Sequence, residues 1–257
     1  MKIAVNTGSF RTIDIIDVLN VLNMTSIRTL ELNLRPIIEG TAAKEKIYEV
    51  LKDNGFILSN LAGGWCDFFV NRSHIHETRS SVEKQVELCH YFGNNRLRLF
   101  FGLLEEKYTT DHRFDILIQN VDEIAGQYKE IDFLFENHDY NSLNPDFLLR
   151  FFKNINSKNV FMNFDPVNFS SHCIDWENAY RMLSSYIRHY HIKGFRGGKI
   201  HAYRKSELDF SNLYHELLAN SYSDYLSLEY EGEADTMSNL LLDYQQLKQD
   251  IDMIKRF

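Results

Sequence analysis

One rhythm constrains this sequence more than any other feature. A short run of β-forming residues is followed by an amphipathic stretch at helical spacing, eight times over. KIAVNT gives way to TIDIIDVLNVLNM, and IRTLELNL leads into AKEKIYEVLKDNG, where Asn54 and Gly55 supply a helix stop. FILSNLAGG precedes a long helix through HETRSSVEKQVELCHYFG, NRLRLFFG precedes HRFDILIQNVDEIAGQY, and IDFLFENHD precedes PDFLLRFFKN. NVFMNFD with WENAYRMLSS, IRHYHIKG with FSNLYHELLAN, and YLSLEYEG with SNLLLDYQQLKQDIDMIKRF complete the series. Parallel strands buried on both sides need helical crossovers. Eight such units in 257 residues match a closed (β/α)8 barrel, with residues 1–257 expected to form a single domain. The rival, a doubly wound open sheet, wants a glycine-rich phosphate turn after its first strand, and NTGSFRT is not one. With only three prolines and no low-complexity stretch, no linker divides the chain.

Composition narrows the class of partner. The net charge of -8 arises from 36 acidic against 28 basic residues with no block of like charge, which argues against nucleic acid and anionic membrane and favours a small polar substrate. MKIAVNTGSF lacks the apolar core and cleavage site of a signal peptide, and no run approaches membrane-spanning length, so a cytoplasmic protein is expected. A homo-oligomer is compatible with these features. Cys66, Cys89 and Cys173 are widely spaced with no CxxC, as expected of reduced thiols without a structural role.

A (β/α)8 barrel carries its chemistry at the carboxyl ends of its strands. There the fifth strand ends in Glu136, Asn137 and His138, and the sixth in Asp165, Pro166, Val167 and Asn168. The seventh carries His189, His191 and Lys193, and the eighth ends in Glu229 and Glu231. Side chains alternate along a strand, so Glu136 shares a face with His138, His189 with His191 and Lys193, and Glu229 with Glu231. Alternation alone does not choose within these sets. Three carboxylates and an imidazole on one rim repel one another unless a cation sits among them. Such an oxygen-rich set favours Mn2+ most, with Mg2+, Co2+ or Zn2+ as alternatives.

The runs LFENHDY, FDPVN, RHYHIKG and LSLEYEG, in that order, resemble the xylose isomerase-like TIM barrels, a group of sugar and sugar-phosphate isomerases and epimerases that includes the tagatose and psicose 3-epimerases. The similarity spans the chain, with LELNL resembling the group's second strand and SELDFSNLYHEL the segment after strand seven. The resemblance implies metal ligands Glu136, Asp165, His191 and Glu229, with Glu136 and Glu229 also the proton-transfer pair. Three departures accompany it. Asn168 stands where the ketose 3-epimerases carry a histidine, RKSELDF replaces a glycine-rich loop, and ILSNLAGG and LRLFFG lack the histidines of the endonuclease IV branch.

The expected chemistry is proton transfer beside a carbonyl. A metal stabilises the enediolate as charge develops, and a carboxylate held within about 3 Å takes the proton. Return from the opposite face gives an epimer, and return to the neighbouring carbon gives an aldose-ketose isomer. Candidate substrate-binding residues are His138, Asn168, Lys193, Arg196, Trp65 and Glu31. Trp65 is expected to pack on a sugar face with Phe68. Lys193 has the alternative of a solvated lysine, Asp165 of an Asp-Pro turn initiator, and Glu31 of a hydrogen-bond acceptor inside the barrel. His74 and His76 in HIHE diverge on a helix and carry no expectation of a site. Two other readings share the scaffold: a metal-dependent lyase or dehydratase of the inosose or dehydroshikimate type, and a non-catalytic sugar-binding barrel.

Overall fold

Eight parallel strands close on one another in a computed structural model that describes residues 1–102, 110–232 and 236–256. In chain order the strands are β1 (Lys2–Asn6), β2 (Thr29–Asn33), β3 (Ile57–Ala62), β4 (Arg96–Leu99), β5 (Asp132–Glu136), β6 (Val160–Phe164), β7 (Ile187–Ile192), β8 (Gly194–Arg196), β9 (Lys199–His201) and β10 (Tyr225–Leu228). The barrel runs β1-β10-β7-β6-β5-β4-β3-β2, while β8 and β9 form a separate antiparallel pair. The helices are α1 (Ile15–Asn23), α2 (Arg35–Ile38), α3 (Lys44–Asp53), α4 (Ile75–Phe92), α5 (Asp111–Gln127), α6 (Pro145–Asn154), α7 (Pro166–Ser171), α8 (Trp176–Leu183), α9 (Ser211–Ala219) and α10 (Thr236–Ile254). Every one of the eight units read from the sequence therefore has its strand and its helix.

The chain packs as two units, Met1–Ser59 with His189–Phe257, and Asn60–Arg188. In the second unit, the two-residue period of β5 sends Phe133 and Phe135 one way and Leu134 and Glu136 the other. Phe135 meets Phe68, Phe101 and Phe151 at ring-centroid distances of 5.3, 4.8 and 5.7 Å, which anchors the strand against α6. That helix starts where Asn144 accepts from the backbone N–H of Asp146 and Phe147, with Pro145 in its first turn. It buries Phe147, Leu148, Phe151 and Phe152. Packing one face of β5 so heavily fixes where Glu136 must point.

In the first unit, β1 pairs with β2 so that Asn6 lies opposite Glu31, and β10 pairs with β7 so that Ser227 lies opposite His191. Leu30 and Leu32 flank Glu31 and are fully buried, as are Leu226 and Leu228 on either side of Ser227. The apolar residues of each strand take one face, and the polar ones are left sharing the other. Among the described residues, no helix is long and apolar enough to cross a membrane.

Candidate metal and proton-transfer site

In the second unit Glu136 closes β5 and is 2% exposed. The guanidinium Nε of Arg98, from β4, lies 3.3 Å from its Oε2, and the Asn168 amide donates to its Oε1 at 3.3 Å. Arg98 is itself buried, with its guanidinium 4.3 Å from the centroid of Phe100. A buried carboxylate thus has a buried cation of its own, which is the condition for keeping charge out of water.

Asp165 follows β6 and is fully buried. Its Oδ1 accepts from the backbone N–H of Val167 at 2.8 Å and of Asn168 at 3.0 Å, capping α7. The Asn137 side chain clasps the Asp165 backbone in both directions, donating to its carbonyl and accepting from its N–H, each at 2.8 Å. The Asp-Pro pair is therefore a helix starter, with its second carboxylate oxygen held in a fixed direction by the first.

In the first unit three buried groups meet beneath the strand ends. The Nε2 atoms of His189 and His191 lie 3.2 and 3.0 Å from the Glu31 carboxylate, and all three residues are fully buried. Burial alone would raise the Glu31 carboxyl, but the charge of His191 and hydrogen bonds from both histidines outweigh it and hold the group well below the usual carboxylate range. Glu229, one residue past β10, takes an amide hydrogen bond from Asn6 at 2.9 Å and lies 3.2 Å from the Lys193 ammonium and 3.4 Å from Nδ1 of His191. Burial pushes its carboxyl up, and the nearby Lys193 and His191 charges pull it well below the ordinary value, so Glu229 is ionised at neutral pH.

Lys193 is 1% exposed and bridges Glu229 and Glu231, the latter at 2.7 Å, so it is not a solvated lysine. Glu231 also pairs with Arg11. Arg196 sits on β8 with an exposed side chain 3.6 Å from Glu207. Trp65 is 49% exposed and meets Phe100 edge to face at 4.8 Å, and Phe100 lies 4.7 Å from the His138 ring. The aromatic partner of Trp65 is therefore Phe100. Phe68 is instead core, at 1% exposure against Phe135. His138 also pairs through Nδ1 with Asp139.

Arg98, Phe100 and Asn6 escaped the sequence reading, and Asn137 was named at the end of the fifth strand without a role. Only Asn137 carried a signal, since it lies within the ENH run itself.

A barrel of eight parallel strands with acidic and imidazole groups at its strand ends defines a class, and sequence similarity places the chain within it. The chain belongs to the xylose isomerase-like TIM barrel family, whose model matches residues 25–257. Similar solved structures include the probable 3-DHS dehydratase AsbF of Bacillus anthracis, involved in petrobactin synthesis, at 17% identity and a TM-score of 0.79 over 96% of this chain and 99% of that one. They also include the 3-keto-D-glucoside 4-epimerase YcjR of E. coli, at 15% identity and a TM-score of 0.76 over 97% and 99%. A third is the IOLI protein with a bound zinc atom, at 16% identity and a TM-score of 0.78 over 99% of each chain. At these identities the likeness is one of fold. No curated protein matches the chain in sequence.

Proposed function

We propose that this protein is a divalent-metal-dependent isomerase or epimerase of a sugar or sugar phosphate, with Glu136, Asp165, His191 and Glu229 as its metal ligands. The observation that carries the reading is the donor set. Glu136 and Asp165 are buried at strand ends of one unit, His191 and Glu229 are buried at strand ends of the other, and three carboxylates with one imidazole are a donor set of the kind that suits a single cation. Three hard carboxylates joined by one imidazole suit Mn2+, with Mg2+, Co2+ and Zn2+ also matched by oxygen and imidazole donors. Such an ion supplies Lewis-acid stabilisation of the negative charge that develops on a substrate carbonyl oxygen.

The side chains divide the remaining work. Glu136 takes the proton from the carbon beside the carbonyl, and the Arg98 guanidinium keeps that carboxylate oriented. Glu229, which must first take up a proton from solvent, delivers it at the opposite face to give an epimer, or at the neighbouring carbon to give an aldose-ketose isomer, while the proton taken by Glu136 is released to solvent. Lys193 and Asn6 hold Glu229 in place for that transfer. Trp65, Phe100 and His138 present ring faces and edges on which the apolar side of a sugar can rest. Asn168 donates its amide hydrogens to Glu136 and to the Asn137 carbonyl, so its Oδ1 is the atom it offers to a substrate hydroxyl, and Arg196 is retained as a contact to a substrate hydroxyl or phosphate. The expected setting is the cytoplasm, with no nucleic-acid or membrane partner.

The test is product analysis across ketoses, aldoses, their phosphates and inosose, with Mn2+ added. The proposal predicts a product of unchanged mass from at least one carbonyl sugar. A product lighter by one water would establish the dehydratase reading instead, and metal-dependent binding without any conversion would establish the sugar-binding one.

A further inference from the structure

We propose that Glu31 is a positioning residue that holds the Nε2 protons of His189 and His191, and so leaves Nδ1 of His191 as the nitrogen that gives up its proton to bind the metal. The inference rests on the metal reading above and specifies which atom of His191 serves it. A histidine ring has two nitrogens, and the hydrogen bond made by one decides which form the other takes.

The geometry supports this assignment at each contact. Both oxygens of Glu31 lie 3.0 Å from His191 Nε2, and Oε2 lies 3.2 Å from His189 Nε2. An ionised carboxylate only accepts hydrogen bonds, so each of these nitrogens donates. The opposite edge of the His191 ring places Nδ1 3.4 Å from Glu229 Oε2. The ring thus lies between an acceptor that holds its Nε2 proton and a second carboxylate proposed as a ligand of the same ion. His189 and His191 are adjacent on one face of β7, with ring centroids 5.9 Å apart and planes at 81°, so one carboxylate reaches both. The backbone of Glu31 is fixed by the pairing of Asn6 with Glu31 and by the Thr7 hydroxyl, which donates to the Glu31 carbonyl at 3.2 Å.

The same three side chains also form a group able to hold an ion directly. That alternative requires both Nε2 atoms to lose their protons, so the two arrangements differ in a measurable property.

The experiment is a two-bond 1H–15N correlation on the full chain labelled with 15N-histidine, recorded before and after addition of Zn2+, with His189→Gln used for assignment. The proposal predicts that His191 Nε2 keeps its proton throughout and that Nδ1 is the nitrogen whose shift moves with zinc, while His189 Nε2 stays protonated. Zinc-induced loss of the Nε2 protons would overturn it, as would a shift at His191 Nε2 alone. Glu31→Gln, which preserves size, should weaken Zn2+ binding by about 10–100-fold. Glu31→Asp, which restores the charge, should recover part of that loss. Equal affinity in the wild type and Glu31→Gln would also overturn the proposal. A wild-type protein with both Nε2 protons in place but no response to any divalent ion would instead remove the metal site itself, so the two failures are distinguishable.

Discussion

The residues that matter most are charged groups placed where water cannot reach them. Glu136 is buried with Arg98 beside it, and removing one partner of a buried pair strands the other. Arg98→Met should therefore lower stability by about 3–5 kcal/mol in a urea melt, far more than loss of an exposed pair such as Arg35 with Glu39. The ligand assignment has its own internal controls. His191→Ala and Asp165→Asn should weaken Mn2+ binding in a calorimetric titration, whereas His189→Ala and Glu231→Gln should leave it nearly intact. Much of this residue set was legible in the sequence, because acidic and imidazole residues at the ends of apolar runs stand out. Arg98 was not. In NRLRLFFG two arginines alternate with leucines, and nothing local says which faces a buried carboxylate 38 positions further on.

At the level of elements, helix ends carry the clearest local chemistry. Gly93 follows α4 with φ +65°, its backbone N–H bonding to the carbonyls of Cys89 and His90. A side chain there is strained in the left-handed region. Gly93→Ala should therefore cost about 1–2 kcal/mol. Gly126 lies inside α5, and an added Cβ there would meet nothing within 4 Å. Gly126→Ala should raise stability by about 0.4–1 kcal/mol, and parallel thermal melts of the two variants give the comparison. Helix and strand order followed from periodicity, but the short helices α2 and α7 and the β8–β9 hairpin did not. Four residues in α2 and six in α7 are too few to show a period. The β8–β9 hairpin was missed although its signal was present. Gly197 and Gly198 take φ values of +58° and +76°, and the two-residue turn they form between Arg196 and Lys199 is the kind that joins antiparallel strands.

For the molecule as a whole, closure of the barrel was readable from eight repeated units, since buried parallel strands leave few other arrangements. The partnerships among strand ends were not, because they join residues far apart in sequence, such as Asn6 with Glu229. A metal bound only by the native state stabilises it by about 2.7 kcal/mol when free ion exceeds Kd a hundredfold. For a chain of 257 residues this corresponds to about 5–10 °C, so chelation should lower Tm by that amount and Mn2+ should restore it. The central claim is that a buried glutamate at the end of β5 moves a proton on a sugar carbon. The most direct test is deuterium incorporation from D2O by metal-saturated wild type and Glu136→Gln, using the substrate found in the product screen. The account predicts deuterium at the carbon beside the carbonyl in the wild-type product, with turnover about 100 to 10,000 times slower in the variant at equal metal occupancy. Wild-type turnover and wild-type deuterium incorporation in Glu136→Gln would contradict it and leave Glu136 a structural carboxylate.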